Sequence, residues 1–360
     1  MADGVRSLGR FERVPTRKIV LTAIAIVIVL VVAGGAYRTL TLPAEDRLPW
    51  AFWANLVVIG VALGAVYALI ALGYTLVYGV LRMINFAHGE VFMAGAFGSY
   101  FFATAYEASG FLNRSPYLSL LVLFGVAILI SVGVAVLLER VAYRPLRNAP
   151  RLVPLITAIG ASLFLQNAFR GFFGAQTRGY PAPTILQGSL HIGAVAFDKI
   201  DIVVVIVSVV LMVALQLFVT RTKTGKAMRA VAEDKEIASL MGIDVDRAIV
   251  TTFIIGGMLA GVAGVLYAMT FGGVSAFMGF LPGIAAFTAA VLGGIGSIPG
   301  AALGGLILGV SQSVAPYLLL SGVHAKSPFQ LKDVITFSIL VIVLIFRPGG
   351  ILGAGEAEKV

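Results

Sequence analysis

Six consecutive residues, Asn85-Phe86-Ala87-His88-Gly89-Glu90, carry the densest polar chemistry in a chain that is otherwise strongly apolar. An amide, an imidazole and a carboxylate at positions 85, 88 and 90 could line a path for a polar solute, or hold a broken helix beside one. Placing one charge at the centre of a lipid-embedded helix costs about 2.5–3.5 kcal/mol, so such a group calls for a functional explanation. The same residues could also stand where an apolar segment meets water, reaching solvent and capping the next helix. The sequence leaves both readings open. The second candidate is the run Gly293-Gly294-Ile295-Gly296-Ser297-Ile298-Pro299-Gly300. Glycines can stop a half-helix inside a membrane and expose backbone amides, and a helix N-terminus favours a carboxylate. The competing explanation is close helix packing through small residues, as in Gly300-Ala301-Ala302-Leu303-Gly304, and it is the simpler one. The candidate path residues are therefore Asn85, His88, Glu90, Gly293, Gly294 and Ser297. Gln166, Asn167 and Gln312 could bond neighbouring helices or mark an interface. Tyr67, Tyr74 and Tyr78 share a helix face that suits a path wall or a packing seam.

Several chemistries are excluded. The chain has no cysteine, hence no disulfide, thiolate metal site or cysteine nucleophile. Its three histidines, His88, His191 and His324, lack the close spacing of a helical metal site. Gly225-Lys226 is followed by Ala227, and no glycine stands five residues before Gly225, so there is no P-loop. No embedded Ser/His/Asp set, HExxH motif or aspartate pair occurs, so no catalytic residue, metal or cofactor is expected in this chain. Carboxylates deep in the spans, as an ion-driven transporter would prefer, are absent on this reading, because Glu90 and Glu139 lie at the ends of apolar runs. The net charge is +9, but the bases sit in short loops between apolar runs, which argues against nucleic acid.

The elements that must position these residues are membrane helices. Hydrophobic residues make up 59% of the chain and charged residues 12%, with mean hydropathy +1.00. Soluble domains carry about 25% charge. A spanning helix needs roughly 20 apolar residues. Uncharged runs occur at 19–37, 48–81, 91–106, 116–138, 152–169, 202–220, 248–323 and 334–346. Leu48–Leu81 is long enough for a span plus an embedded extension. Residues 248–323 suffice for three crossings, with cuts expected at Gly272-Gly273, Pro282-Gly283 and Gly293 to Gly300. The expected fold is an all-α polytopic transmembrane bundle of about ten segments, including short broken helices.

With both termini cytoplasmic, the inner loops hold 18 of the 26 Lys and Arg, as the positive-inside tendency requires. That topology needs residues 283–317 to enter and leave on one side, as a pair of short segments broken at the glycine turn. The chain then divides into a basic cytoplasmic tail (1–18), an extra span and loop (19–50), a transmembrane domain (51–346) and a cytoplasmic tail (347–360). A cleaved signal peptide at the start is the rival reading; the length of its apolar run and the charge pattern favour a retained helix.

The longest charged segment, 221–247, falls on the cytoplasmic side. Gly225 can break the chain after the preceding span, and Gly242 stands where a helix C-terminus carries glycine. Between them Ala227, Ala230, Val231, Ile237, Leu240 and Met241 form an imperfect apolar stripe opposed by Arg229, Glu233, Lys235 and Glu236. An interfacial helix would favour a mostly basic polar face. Mixed charge and small residues suit docking in a protein groove.

At this point the residues resemble a family. GKAMRAVAEDKEIASLMGID resembles the cytoplasmic coupling segment of ABC importer permeases, with Glu233, Ala238 and Gly242 in the motif's Glu, Ala and Gly places. FTAAVLGGIGSIPGAALGGLILG (287–309) and GYTLVYGVLRMINFAHGE (73–90) resemble permeases for branched-chain amino acids, whose relatives include urea and amide permeases. The likeness runs from about Asn55 to the carboxyl terminus; residues 1–50 depart from the pattern. It implies a permease subunit in the bacterial inner membrane, working with a second homologous permease, two cytoplasmic ATPases and a periplasmic or lipid-anchored substrate-binding protein. ATP and Mg would be bound by those ATPases. Gly225, Arg229, Glu233, Ala238 and Gly242 are the residues it assigns to coupling.

Overall fold

The computed structural model describes residues 16–43, 45–147, 149–150, 152–325 and 327–353, with side chains from residue 22 onward. Most of the amino-terminal tail and residues 354–360 of the carboxyl-terminal tail lie outside the described residues.

Among the described residues thirteen α-helices follow one another: α1 (Thr16–Leu40), α2 (Trp50–Leu81), α3 (His88–Ala108), α4 (Phe111–Arg114), α5 (Pro116–Leu138), α6 (Leu152–Phe173), α7 (Lys199–Arg221), α8 (Lys223–Glu233), α9 (Lys235–Leu240), α10 (Val245–Phe271), α11 (Phe280–Gly293), α12 (Ile298–Leu320) and α13 (Lys332–Phe346). Among the described residues eight are long and apolar enough to cross a membrane: α1, α2, α5, α6, α7, α10, α12 and α13. Adding α3, whose first turn is polar, and the shorter α11 gives the ten expected segments, so the chain is a multi-pass membrane protein.

The strands are minor. β1 (Arg178–Gly179) pairs with β4 (Gly273–Val274), and β2 (Ser189–Ile192) forms an antiparallel hairpin with β3 (Val195–Asp198).

The chain divides into two units. One comprises residues up to Arg47 with Tyr317–Pro328; the other comprises Leu48–Pro316 with Phe329 onward. Within the first, α1 meets the end of α12: the Gly322 amide donates to Thr39 Oγ1 at 2.9 Å. Within the second, α2 and α10 are central, with 78% and 72% of their most apolar windows buried. The surrounding helices leave apolar residues such as Leu129, Phe164 and Phe172 exposed. Lipid is the solvent that makes such a surface stable.

Small residues set how closely the inner helices approach. Gly60 and Gly64 of α2 face Gly305 and Gly309 of α12, where a Cβ on Gly64 would come within 2.8 Å of the Gly305 carbonyl and the Leu306 Cα. Gly261 of α10 likewise meets the α5 backbone at Ala127.

Three boundary expectations need correction. Within the 48–81 run, Trp50–Leu81 is one continuous helix of 32 residues, with no separate extension. The chain does not break at Pro282-Gly283. α10 ends at Gly272 in the left-handed region, and Pro282 lies in the first turn of α11, where its missing N–H is no loss. Finally, of the expected pair of short segments only α11 is short: its 14 residues rise about 21 Å, against a hydrocarbon core of roughly 30 Å, whereas α12 runs for 23 residues.

Candidate functional site

The polar cluster is drawn back into the bundle. α2 ends at Arg82, which adopts φ 57°, and the chain then reverses. By His88 it has climbed to the level of Gly73, eight residues and about 12 Å back along α2, where a Cβ on Gly73 would run into the imidazole. The His88 ring stands edge-on to Tyr74 at 4.9 Å. Asn85, on the way up, accepts from Tyr143 Oη at 2.7 Å. Asn85, His88 and Glu90 are all buried. The boundary reading is thereby corrected: these groups do not reach water in the chain as described.

Glu90 closes the climb. Its Oε1 accepts from Gln166 Nε2 at 2.7 Å and Ser162 Oγ at 3.1 Å, both on α6. Ser162 is ten residues, about 15 Å, from the first residue of α6, so the carboxylate lies well inside the bundle rather than at the end of a span. Its Oε2 is buried with no hydrogen-bond partner, and no cation pairs with it among the described residues. The expectation that no carboxylate lies deep in the spans fails here, because α3 itself begins at depth.

Glu90 lines a cavity of about 260 Å³ with Tyr74, Phe86, Ile159, Ser162, Gly279 and Ile284. The start of α11 closes one side, with Gly283 packed on Gly89. Tyr74 belongs to this wall. Tyr67 instead donates to Gln312 Oε1 at 2.9 Å, so the two tyrosines do different work.

The glycine turn is elsewhere. Gly293 and Gly294 lie at the far end of α11 from Glu90. Gly294 has φ 106°, and residues 349–353 pack on it: the Ile351 amide donates to the Leu292 carbonyl and the Leu352 amide to the Gly293 carbonyl, both at 2.9 Å. Ser297 Oγ accepts from the Gly300 amide. Gly293, Gly294 and Ser297 thus form a packing junction and do not join the cavity.

The charged segment folds as two helices. Thr222 caps α8 by accepting from the Gly225 amide, so the break stands at Thr222 and Gly225 is inside the first turn, pressed against the α7 backbone at Phe218 and Val219. Asp234 stops α8 and caps α9, accepting from the amides of Glu236 and Ile237. Gly242 has φ 80° and ends α9, as expected of a C-terminal glycine. The single apolar stripe is therefore split. Gly225, Met228, Val231 and Ala238 face inward, while Ile237, Leu240 and Met241 are 60%, 87% and 77% exposed. Arg229 and Glu233 are exposed as well.

Arginine side chains tie this segment to the rest. Arg82 donates to the Ala232 carbonyl at 2.9 Å, and Arg144 pairs with Asp246 at 2.8 Å. Arg147 bridges Asp246 and the buried Glu139. Lys235 sits beside this cluster. Burial first, then the Arg147 and Arg82 guanidiniums, holds its ammonium below the ordinary lysine value.

Ser162, Tyr143 and Arg82 were not singled out from the sequence. Ser162 and Gln166, four apart on one face of an apolar helix, were the legible signal for the first. Asn167 donates to the Leu163 carbonyl of its own helix.

The family described as branched-chain amino acid transport system, permease component, matches residues 56–344. The chain belongs to that family. It is 45% identical over 306 residues to the high-affinity branched-chain amino acid transport system permease protein BraD of Pseudomonas aeruginosa, covering 84% of this chain and 96% of that protein. The corresponding LivH protein of Escherichia coli K12 is 44% identical over the same coverage. A probable branched-chain amino acid permease of Methanocaldococcus jannaschii is 34% identical over 79% of this chain and 88% of its own length. No solved structure matches the chain. The permease component so identified is one part of a transport system of several subunits.

Proposed function

We propose that this permease component imports branched-chain amino acids across a bacterial inner membrane, with both termini cytoplasmic. Two ATPase subunits on the cytoplasmic side drive it and bind the ATP and Mg. A periplasmic or lipid-anchored binding protein delivers the substrate. A second homologous permease covers the face onto which the Glu90 cavity opens, bordered by Ile159, Leu163 and Phe280, each about half exposed.

The observation that supports this most is the α8–α9 segment. Its tip presents Ile237, Leu240 and Met241 on an otherwise polar surface, a patch that needs a protein partner. Gly225, Met228, Val231 and Ala238 anchor the other side. Arg229, Glu233 and Gly242 complete the surface offered to the motor. Movement of the motor reaches the pathway through Arg82, which holds the end of α8 and begins the climb to Glu90. Switching between outward and inward opening is then a rigid-element motion driven from the cytosol.

Reconstitution tests this reading. Proteoliposomes holding the chain with its partner permease, ATPases and binding protein take up leucine when ATP is supplied. Proteoliposomes holding this chain alone take up none, even with an ion gradient. Gradient-driven leucine flux through the chain alone would overturn the proposal.

A further inference from the structure

We propose that Glu90 is the group that receives the ammonium of the transported amino acid inside the membrane, and that the cavity beside it holds the apolar side chain. This rests on the permease reading above and names the site within it.

Glu90 is 1% exposed and bonded only on Oε1, by the neutral donors Gln166 and Ser162. Oε2 is unsatisfied. A buried carboxylate without a cation is costly unless something completes its shell. Two features favour its anionic form. It stands in the first turn of α3, and the start of α11 at Gly279 lies against it, so two helix dipoles turn their positive ends toward it. α11 has no capping side chain and no acid in its own first turn. A carboxylate facing two helix N-termini, with one oxygen spare, is suited to an entering cation with several N–H donors, as a primary ammonium has.

The cavity fixes which cation. At about 260 Å³ it lies below the roughly 300–1,000 Å³ of drug-sized pockets, room for one small solute. Ile159, Leu163, Ile284 and Phe280 make its far walls apolar, leaving a branched aliphatic side chain as the group that fits once the ammonium is on Glu90. A hydrated metal ion would find no second carboxylate: among the described residues no cluster of His and acids exists.

The test uses the complete transporter in proteoliposomes. Absence of ATP-driven leucine uptake in the wild type would bring down the permease reading, not this site. In an assembly that transports, Glu90→Gln lowers uptake roughly ten- to a hundredfold, the worth of a charge-assisted hydrogen bond, and Glu90→Asp recovers part of it. Against a folding failure in Glu90→Gln, the wild-type assembly without binding protein is photolysed with a diazirine analogue of leucine. The expected label falls on Ile159, Leu163 or Ile284. Excess leucine suppresses it; 4-methylpentanoate, which lacks the ammonium, and ammonium chloride do not. Label confined to other helices, suppression by 4-methylpentanoate, or full uptake in Glu90→Gln each overturns the assignment.

Discussion

Gln312 joins three helices through one side chain: its Oε1 accepts from Tyr67 of α2 and its Nε2 donates to Thr336 of α13. All three residues are buried, so replacing the amide strands the Tyr67 hydroxyl and leaves Thr336 only its bond to the Lys332 carbonyl. Gln312→Leu is expected to destabilise the chain by about 1–3 kcal/mol, read as a lower melting temperature in detergent; an unchanged melt would show the network to be idle. Polar residues in the apolar runs were visible in the sequence, and so was their need for partners. Which partner each found was not. Glu90 looked like a residue at the end of a span because its run begins at Val91, and only the reversal after Arg82 carries it to the depth of Ser162. Gln166 looked peripheral because its uncharged run stops at Phe169, whereas α6 continues to Phe173. Side-chain partners more than seventy residues away leave no local pattern to read.

The membrane helices were legible as elements because each needs a continuous apolar run, and the ends of those runs match the observed helices closely. Their grouping by small residues was partly legible as well. The glycine pairs of α2 and α12 recur four apart, a spacing that lets two backbones touch. Gly64→Leu should force those helices apart and reduce folded yield, while Gly79→Leu, where nothing lies within 4 Å of the added Cβ, should not. Equal yields would contradict the close approach. The division of 223–240 into α8 and α9 was not legible, since a helix through Asp234 satisfies the same pattern until its side chain caps the second helix. The consequence is mechanical. Arg82 grips the carbonyl of Ala232, one residue from the end of α8, so the motor-facing segment and the climb to Glu90 share a joint. Arg82→Ala is expected to leave ATP hydrolysis by the assembled transporter intact while cutting uptake several-fold, a loss of roughly 1 kcal/mol of coupling or more. Hydrolysis and uptake falling together would place Arg82 in assembly instead.

At the scale of the whole chain, the charge distribution set an orientation that the helix order accommodates. On the proposed topology, an even number of membrane segments returns the carboxyl end to the side of the amino end. The same proposal puts α8 and α9, the glycine turn and residues 349–353 packed against it on one side. An epitope added after Val360 should therefore resist external protease in intact cells, and its removal would invert the topology. The proposed division of labour, a pathway here and a motor elsewhere, concentrates on the exposed tip of α9. Because the chain has no cysteine, Leu240→Cys supplies a single reporter there. In inside-out membrane vesicles holding the full assembly, a short bifunctional reagent should join that cysteine to an ATPase subunit, with a yield that changes on adding ATP. Labelling of the same cysteine by an impermeant reagent from outside intact cells, or no crosslink to any ATPase subunit, would contradict the account.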